Sequence, residues 1–196
     1  GEVEETYAQF AGAMHSGQKV KILVSGEGGK TRASAKLKKY DVDFSQILFY
    51  KIKTADAWIR DYGPTFILNP NLKQKLAFSK WTFNAWGGKY SDLKQDNSIP
   101  YEINKEMRLP FFEPGIVLEG GSIEVNGSGT VLATEQCLLN KNRNPGLSKS
   151  EIEECLKNYL NASNILWLKD GIEGDDTDGH IDDIARFAGK NTVLCA

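Results

Sequence analysis

The sequence has no long hydrophobic run, few cysteines and almost no net charge. Its apolar stretches are only a few residues long, whereas a membrane-spanning helix needs about 20 apolar residues in succession. The formal net charge is −2 at pH 7, which gives no basic footprint for nucleic acid. Three cysteines without a Cys-x-x-Cys pair argue against a disulfide scaffold or a zinc site and fit a reducing cytoplasm. We therefore expect a cytoplasmic protein whose partners are small molecules, not membranes or nucleic acids.

The composition is that of a globular protein. The chain has 196 residues, of which 40% are hydrophobic and 26% charged, enough for one sizeable core or two small ones. It begins at Gly1 instead of methionine and ends directly after an apolar run. We expect it to be a piece of a longer protein.

Residues 175–187 surround a histidine with carboxylates. His180 lies among five aspartates in this stretch, and like charges at such short spacing raise one another's pKa values. Apolar residues at 184–187 and 192–195 flank a turn, which predicts a hairpin. If the strand begins near His180, alternation places His180 and Asp182 on one face. A solvated acidic loop is the alternative.

A glycine-rich segment at residues 26–31 lies between a predicted strand and a predicted helix. The order strand, glycine loop, Gly-Lys-Thr and helix resembles a phosphate-binding loop. The pattern G-x-x-x-x-G-K-[ST] fails because Val24, not glycine, stands five residues before Gly29, and the loop is too short to wrap phosphates. We predict an ordinary turn with Lys30 on its surface, and keep nucleotide binding as the alternative.

Helical spacing is clearest in three segments. Apolar residues recur at helical intervals in residues 2–14 and 99–107, the second with Ser98 as its expected cap. Residues 148–151 read as a capping box, and an apolar stripe follows to residue 160.

The order helix, strand, acidic turn with glycine and β-hairpin occurs three times. Asp61, Glu119 and His180 occupy the equivalent turns, roughly 60 residues apart, and a repeat of this kind indicates pseudosymmetric units. If the units are arranged radially, these three residues and Asp182 converge. Any one such turn alone would be structural, because Asp and Glu beside Gly are common turn formers.

Carboxylates that converge with a histidine suit a planar, permanently charged guanidinium. Four segments carry a specific resemblance: WIRDYGP (58–64), LEGGS (118–122), NRNP (142–145) and TDGHID (177–182). They closely resemble the agmatine deiminase family, also called the bacterial-type peptidylarginine deiminases, within the guanidino-group-modifying pentein superfamily.

The resemblance implies an α/β fold, a pentein α/β propeller of pseudo-fivefold ββαβ repeats. Residues 1–196 would form a single partial propeller domain that covers about three repeats, the first of them incomplete. The implied enzyme is a hydrolase acting on C–N bonds in linear amidines. It converts agmatine and water to N-carbamoylputrescine and ammonia in putrescine biosynthesis, through a covalent cysteine intermediate, without a metal or another cofactor.

The resemblance also implies roles for particular residues. Asp61 and Asp182 would clamp the guanidinium, Glu119 would support that clamp and His180, and Trp58 would line the pocket. His180 would protonate the departing ammonia and then deprotonate water. The nucleophilic cysteine of the family lies in a C-terminal glycine-rich segment that this chain lacks, so we expect residues 1–196 alone to be inactive.

The three cysteines of the chain do not fit that nucleophile. Cys155 lies on the apolar face of a predicted helix, and Cys137 and Cys195 lie on predicted returning strands. We expect all three to be buried structural thiols.

Two alternatives stay open. A peptidyl- or free-arginine deiminase of the same family would share the guanidinium site, since the choice depends on what faces the far end of the substrate. A non-catalytic module that binds guanidinium or nucleotide is the alternative from another class. Homo-oligomerisation is also left open.

Overall fold

The computed structural model describes residues 1–196, which divide into two compact units, Gly1–Ala55 and Asp56–Ala196. The elements of the first unit are α1 (Glu2–Met14), β1 (Val20–Val24), α2 (Glu27–Leu37) and β2 (Ile47–Lys51). Strands β1 and β2 pair in parallel, and α2 makes the crossover that a parallel pair requires. All the predicted site residues belong to the second unit.

Helix α1 is present as predicted, but it buries small side chains. Ala8 and Ala11 pack with Leu37 and Ile47 in the core of this unit, whereas larger residues such as Tyr7 and Phe10 are exposed. Alanines in the contact face let the backbones of α1 and α2 approach closely, so the larger apolar side chains fall on the outer face of α1.

The glycine-rich segment is a helix, so the predicted turn is wrong. Only two residues, Ser25 and Gly26, separate the end of β1 at Val24 from the start of helix α2 at Glu27. No extended glycine loop therefore separates strand from helix. The Lys30 ammonium lies 5.8 Å from the centre of the Phe49 ring within the same unit, where a cation–π contact stabilises it.

The second unit alternates strands and helices. Its helices are α3 (Ile59–Tyr62), α4 (Ala85–Gly88), α5 (Ile99–Met107), α6 (Glu135–Leu138) and α7 (Lys149–Leu160). Its strands are β3 (Thr65–Leu68), β4 (Leu76–Ser79), β5 (Phe111–Phe112), β6 (Ile123–Val125), β7 (Thr130–Thr134), β8 (Asn164–Leu168), β9 (Ala185–Gly189) and β10 (Thr192–Cys195).

The same strand pattern occurs twice in this unit. Strands β3 and β4 form an antiparallel hairpin and β5 joins β4 in parallel. Strands β6 and β7 form a second hairpin, and β8 joins β7 in parallel. Helices α5 and α7 lie in the connections that return the chain to the parallel strand. Strands β9 and β10 add a third hairpin, so the α/β class and the recurrence of hairpins are confirmed.

Helix α7 supplies much of the main core. Ser148 and Glu151 form the predicted capping box, in which the Glu151 carboxylate accepts from the Ser148 backbone N–H at 2.8 Å. Ile152 and Leu156 are fully buried in one cluster with Leu118. Leu118 directly precedes Glu119, so this core fixes the turn that carries a predicted site residue. Helix α5 is also confirmed, although the Ser98 side chain does not cap it.

The cysteines differ from one another in burial. Cys137 is fully buried as predicted, but it lies in α6 and not on a strand. Cys155 is partly buried on α7, whereas Cys195 is exposed. The expectation of a buried thiol is therefore wrong for Cys195, because β10 pairs only with β9 and its side chains lie on an open hairpin.

No helix combines the length and apolar character that crossing a membrane would require.

Candidate active site

Short helix α3 brings the carboxylate of Asp61 into the interior. Asp61 is 8% exposed, and both of its oxygens accept hydrogen bonds. The Trp86 indole N–H donates to Oδ2 at 3.1 Å, and the backbone N–H of Gly121 donates to Oδ1 at 2.9 Å. These donors hold the carboxylate in one orientation.

The glycine turn after Glu119 is the meeting point of the site. A Cβ at Gly121 would lie 2.5 Å from His180 Nδ1, 2.7 Å from Asp61 Oδ1 and 3.0 Å from Asp182 Oδ1. Only glycine fits at this position without displacing all three polar side chains. The structure thus brings together the residues that the repeat predicts to converge.

His180 reaches this point from a tight loop, not from a strand. Asp175 Oδ2 accepts from the backbone N–H groups of Gly179 at 2.8 Å and His180 at 3.1 Å, and Ile181–Asp183 is a 3₁₀ turn. The predicted strand alternation is therefore wrong at His180, because side-chain oxygens of the loop take up these backbone donors. Asp182 still lies close, with its Oδ1 3.9 Å from His180 Nδ1, and Asp61 Oδ1 is 3.8 Å from the same nitrogen.

Burial keeps the imidazole neutral. Loss of hydration, aided by the nearby charge of Arg143, lowers the pKa of His180 to about 4, because burial disfavours a cation. His180 is thus a proton acceptor at neutral pH. Its Nε2 has no hydrogen-bond partner and lies 4.0 Å from Glu119 Oε2, which also has none.

The two aspartates resist ionisation. Burial raises the pKa of Asp61 to about 6. Burial, together with the charge of Asp61, raises the pKa of Asp182 to about 6 as well. Desolvated carboxylates that repel one another are stabilised by a cation between them. Arg60 supplies part of that compensation, with its Nε 3.6 Å from Asp182 Oδ2.

Glu119 is fully buried and paired with an arginine. Arg143 Nε donates to Glu119 Oε1 at 2.7 Å, and neither side chain is exposed. Burial raises the pKa of Glu119, while the adjacent guanidinium opposes that shift. The sequence marks the segment around Arg143 but assigns no role to this residue.

Trp86 is a second residue that sequence reasoning misses. It is buried with φ +52°, next to Ala85 with φ +60°, in a left-handed conformation that non-glycine residues rarely adopt. A strained conformation this close to Asp61 is typical of functional sites. The run Trp86-Gly87-Gly88 is the feature of the sequence that could have pointed to this residue.

Trp58, the predicted pocket residue, is 59% exposed at the start of α3.

One compact set of metal-ligating groups exists in the site. Ligand atoms of Glu119, Cys137 and His180 all lie within 4.8 Å of one another. Burial raises the pKa of the Cys137 thiol far above its usual range, and the guanidinium of Arg143 already neutralises Glu119. A divalent cation would have to displace the thiol proton beside that buried positive charge.

Cys137 and Cys155 are poor nucleophiles. The thiolate is the reactive form, and burial suppresses it at Cys137. At Cys155, burial raises the pKa to about 11.

Buried carboxylates and an uncharged histidine thus meet over a glycine turn. Such an arrangement can bind a cation and transfer protons to and from it. The chain belongs to the Porphyromonas-type peptidyl-arginine deiminase family, whose model matches residues 1–196.

Individual relatives are agmatine deiminases. The enzyme of Medicago truncatula is 44% identical over 155 residues, which cover 74% of this chain and 41% of the relative. The solved agmatine deiminase of Enterococcus faecalis superposes with a TM-score of 0.86 at 36% identity, covering 99% of this chain and 52% of that one. A Cys-to-Ser variant of the C. jejuni agmatine deiminase with substrate bound gives a TM-score of 0.84 at 36% identity, covering 99% of this chain and 55% of that one. The chain spans about half the length of the relatives it matches.

Proposed function

We propose that this chain forms the guanidinium-binding part of an agmatine deiminase, which hydrolyses agmatine to N-carbamoylputrescine and ammonia for putrescine synthesis. The observation that carries the proposal is the convergence of Asp61, Asp182 and His180 on Gly121, with Glu119 behind the histidine. The two ββαβ repeats within Asp56–Ala196 support a partial pentein propeller. That residues 1–196 form it as a single domain is part of the proposal. The free cysteines support a cytoplasmic setting.

Asp61 and Asp182 bind the guanidinium in this proposal. Both carboxyls have pKa values raised to about 6, so a cation that enters between them removes their mutual repulsion. Their oxygens would accept N–H groups from the planar fork of a guanidinium, a pairing that fixes orientation as well as charge. Trp58, three residues before Asp61, would line the entrance to the pocket.

His180 moves protons between the reacting groups. A cysteine outside residues 1–196 attacks the guanidinium carbon, and His180 accepts the thiol proton as the C–S bond forms. His180 then passes this proton to the nitrogen that leaves as ammonia when the C–N bond breaks. Water attacks the thioether intermediate, His180 takes its proton, and the sulfur recovers a proton as the C–S bond breaks.

Free arginine and peptidyl-arginine are alternative substrates, because they present the same guanidinium. The test uses the full-length protein with agmatine, arginine and an arginine-containing peptide, and measures ammonia release and product mass. We expect ammonia from agmatine above all, and loss of that activity in His180→Ala. Turnover of the peptide alone would assign the peptidyl-arginine activity instead. Guanidinium binding without any ammonia release would favour a non-catalytic binding module.

A further inference from the structure

Arg143 has no part in the chemistry proposed above, although its side chain is wholly buried beside the site. Burying a guanidinium is costly unless its N–H groups are satisfied. Arg143 donates to Glu119 Oε1 at 2.7 Å, to Asn142 Oδ1 and Asp178 Oδ2 at 2.7 Å each, and to the Thr177 carbonyl at 2.9 Å. Every nitrogen of the side chain is therefore engaged.

These bonds tie together the two elements that carry Glu119 and His180. Thr177 and Asp178 belong to the tight loop that ends at His180. Glu119 precedes the glycine turn and is held from the other side by the main core. Arg143 thus spans the gap between the histidine loop and the glutamate turn, and fixes the position of one relative to the other.

The contact with Arg143 also decides which oxygen of Glu119 is available. Oε1 accepts from Arg143, so Oε2 remains, and it is buried without a partner 4.0 Å from His180 Nε2. Nε2 has no partner either. An approach of the two atoms by about 1 Å would close a hydrogen bond from Nε2–H to Oε2. The proton of the neutral imidazole then resides on Nε2, and Nδ1 is left as the acceptor that faces Asp61 and Asp182.

We propose that Arg143 is a positioning residue for proton transfer: it orients Glu119 so that Oε2 fixes the Nε2–H tautomer of His180 and leaves Nδ1 free to exchange protons with the reacting groups. The inference rests on the proposed function for its catalytic consequence, whereas the tautomer itself is a property of the resting protein.

Two substitutions separate the charge of Arg143 from its geometry. Arg143→Lys keeps the positive charge but cannot bond Glu119, Thr177 and Asp178 with one planar fork. We expect kcat to fall about 10- to 100-fold with KM within a few-fold of the unmodified enzyme, a loss of the size found when the outer hydrogen-bond partner of a metal-binding histidine is removed. The pH midpoint assigned to His180 should stay close to its original value.

Arg143→Gln removes the charge as well. Because the guanidinium lowers the pKa of His180, the midpoint of the histidine limb in the pH–rate profile should move upward. The other charged groups around the imidazole are Asp61, Asp182, Glu119, Asp175, Asp178 and Arg60, and all of them remain in both variants. The shift is therefore specific to the lost cation. A purely structural role would lower the active fraction or the unfolding temperature without moving this midpoint.

Lys89→Ala is the matched control. Lys89 donates to the other oxygen of the same aspartate, Asp178 Oδ1, at 2.5 Å, but makes no hydrogen bond to Glu119. Its loss weakens the loop without releasing the glutamate, and kcat should stay within a few-fold of normal. Equal losses of kcat in Lys89→Ala and Arg143→Lys would overturn the proposal, as would a normal kcat in Arg143→Lys or a rise in KM alone.

The decisive measurement needs no turnover. Nitrogen-15 NMR of the unsubstituted full-length protein at neutral pH, with the His180 signals assigned by their absence from His180→Gln, reports which imidazole nitrogen carries the proton. A proton on Nε2 supports the proposal, and a proton on Nδ1 refutes it. If the protein shows the Nε2–H tautomer but releases no ammonia from agmatine, the proposed function has failed while the tautomer inferred for His180 stands.

Discussion

Substituting Gly121 by alanine tests the arrangement of the whole site with a single methyl group. A Cβ at this position would lie 2.5 Å from His180 Nδ1, 2.7 Å from Asp61 Oδ1 and 3.0 Å from Asp182 Oδ1. Ordinary contacts of a methyl carbon begin near 3.4 Å, so each of the three side chains must move by several tenths of an ångström or more. The three movements point away from one common centre, and the site must therefore expand.

The consequence for stability is moderate. Overpacking of a filled interior costs typically about 1–3 kcal/mol, and the backbone at Gly121 does not require a positive φ. Asp61 cannot retreat freely, because the Gly121 N–H and the Trp86 indole both hold it. We expect Gly121→Ala to lower the free energy of unfolding by an amount within that range.

The consequence for activity is larger. Displacing a catalytic group by about 1 Å can reduce the rate by roughly 100-fold, and here two carboxylates and a histidine move together. We expect kcat/KM for agmatine to fall at least that far in the full-length protein, measured by ammonia release. Chemical denaturation of the same preparation shows whether the variant remains folded.

Gly146→Ala is the matched control, since a Cβ at Gly146 has open space around it. This variant should keep both stability and activity near normal. If Gly121→Ala were to hydrolyse agmatine within a few-fold of the unsubstituted enzyme, the reacting atoms would not meet over this glycine and the proposed site would be wrong.

Further predictions concern single side chains of the full-length protein. His180→Ala should reduce turnover by roughly two to four orders of magnitude while substrate still binds. Asp182→Asn should weaken binding as well, by on the order of 2–5 kcal/mol for a desolvated ion pair. Steady-state kinetics and calorimetric titration of both variants check this, and loss of binding in His180→Ala alone would show that the two roles are assigned the wrong way round. Asp61→Asn should stabilise the substrate-free protein progressively as pH rises from 4 to 7. The folded-state pKa of Asp61 is raised to about 6, so the unsubstituted protein loses stability as this carboxyl ionises, and the gap in unfolding free energy between variant and unsubstituted protein should reach on the order of 2–3 kcal/mol. A gap that does not change with pH in chemical denaturation would contradict the assigned shift. Lys30→Ala should leave agmatine hydrolysis within a few-fold of normal, and a large loss together with nucleotide binding that the substitution removes would revive the phosphate-loop interpretation.

The sequence predicts the elements of the fold well wherever periodicity and turn chemistry agree. The capping box at Ser148 and the hairpins that follow Asp61, Glu119 and His180 are local features, and local features are readable without a structure. The convergence of these turns could be predicted only because they recur in register, since a repeat converts a sequence spacing into a spatial arrangement.

Other features depend on contacts between distant segments and could not be predicted. An alternating pattern after His180 reads as a strand, but the carboxylate of Asp175 and the hydroxyl of Thr177 take up the backbone N–H groups there and form a loop instead. The Gly-Lys-Thr segment reads as a turn because two glycines are adjacent, yet helix α2 continues through them. Local glycine content lowers helix propensity by only about 1 kcal/mol per residue, and packing overrides that amount.

The burial and the contacts of Arg143 could not be predicted from the sequence. Its segment carries part of the family resemblance, but nothing in the four letters NRNP says that the guanidinium is fully buried or that it reaches both Glu119 and Asp178. A single buried cation beside several acids could be a substrate mimic, a structural ion pair or a positioning group. We infer a positioning group, because Arg143 bonds one oxygen of Glu119 and the other oxygen lies 4.0 Å from His180 Nε2. In the proposed enzyme two guanidinium groups therefore have different roles. That of Arg143 is held by the fold and orients the histidine, whereas that of the substrate binds between Asp61 and Asp182 and is hydrolysed.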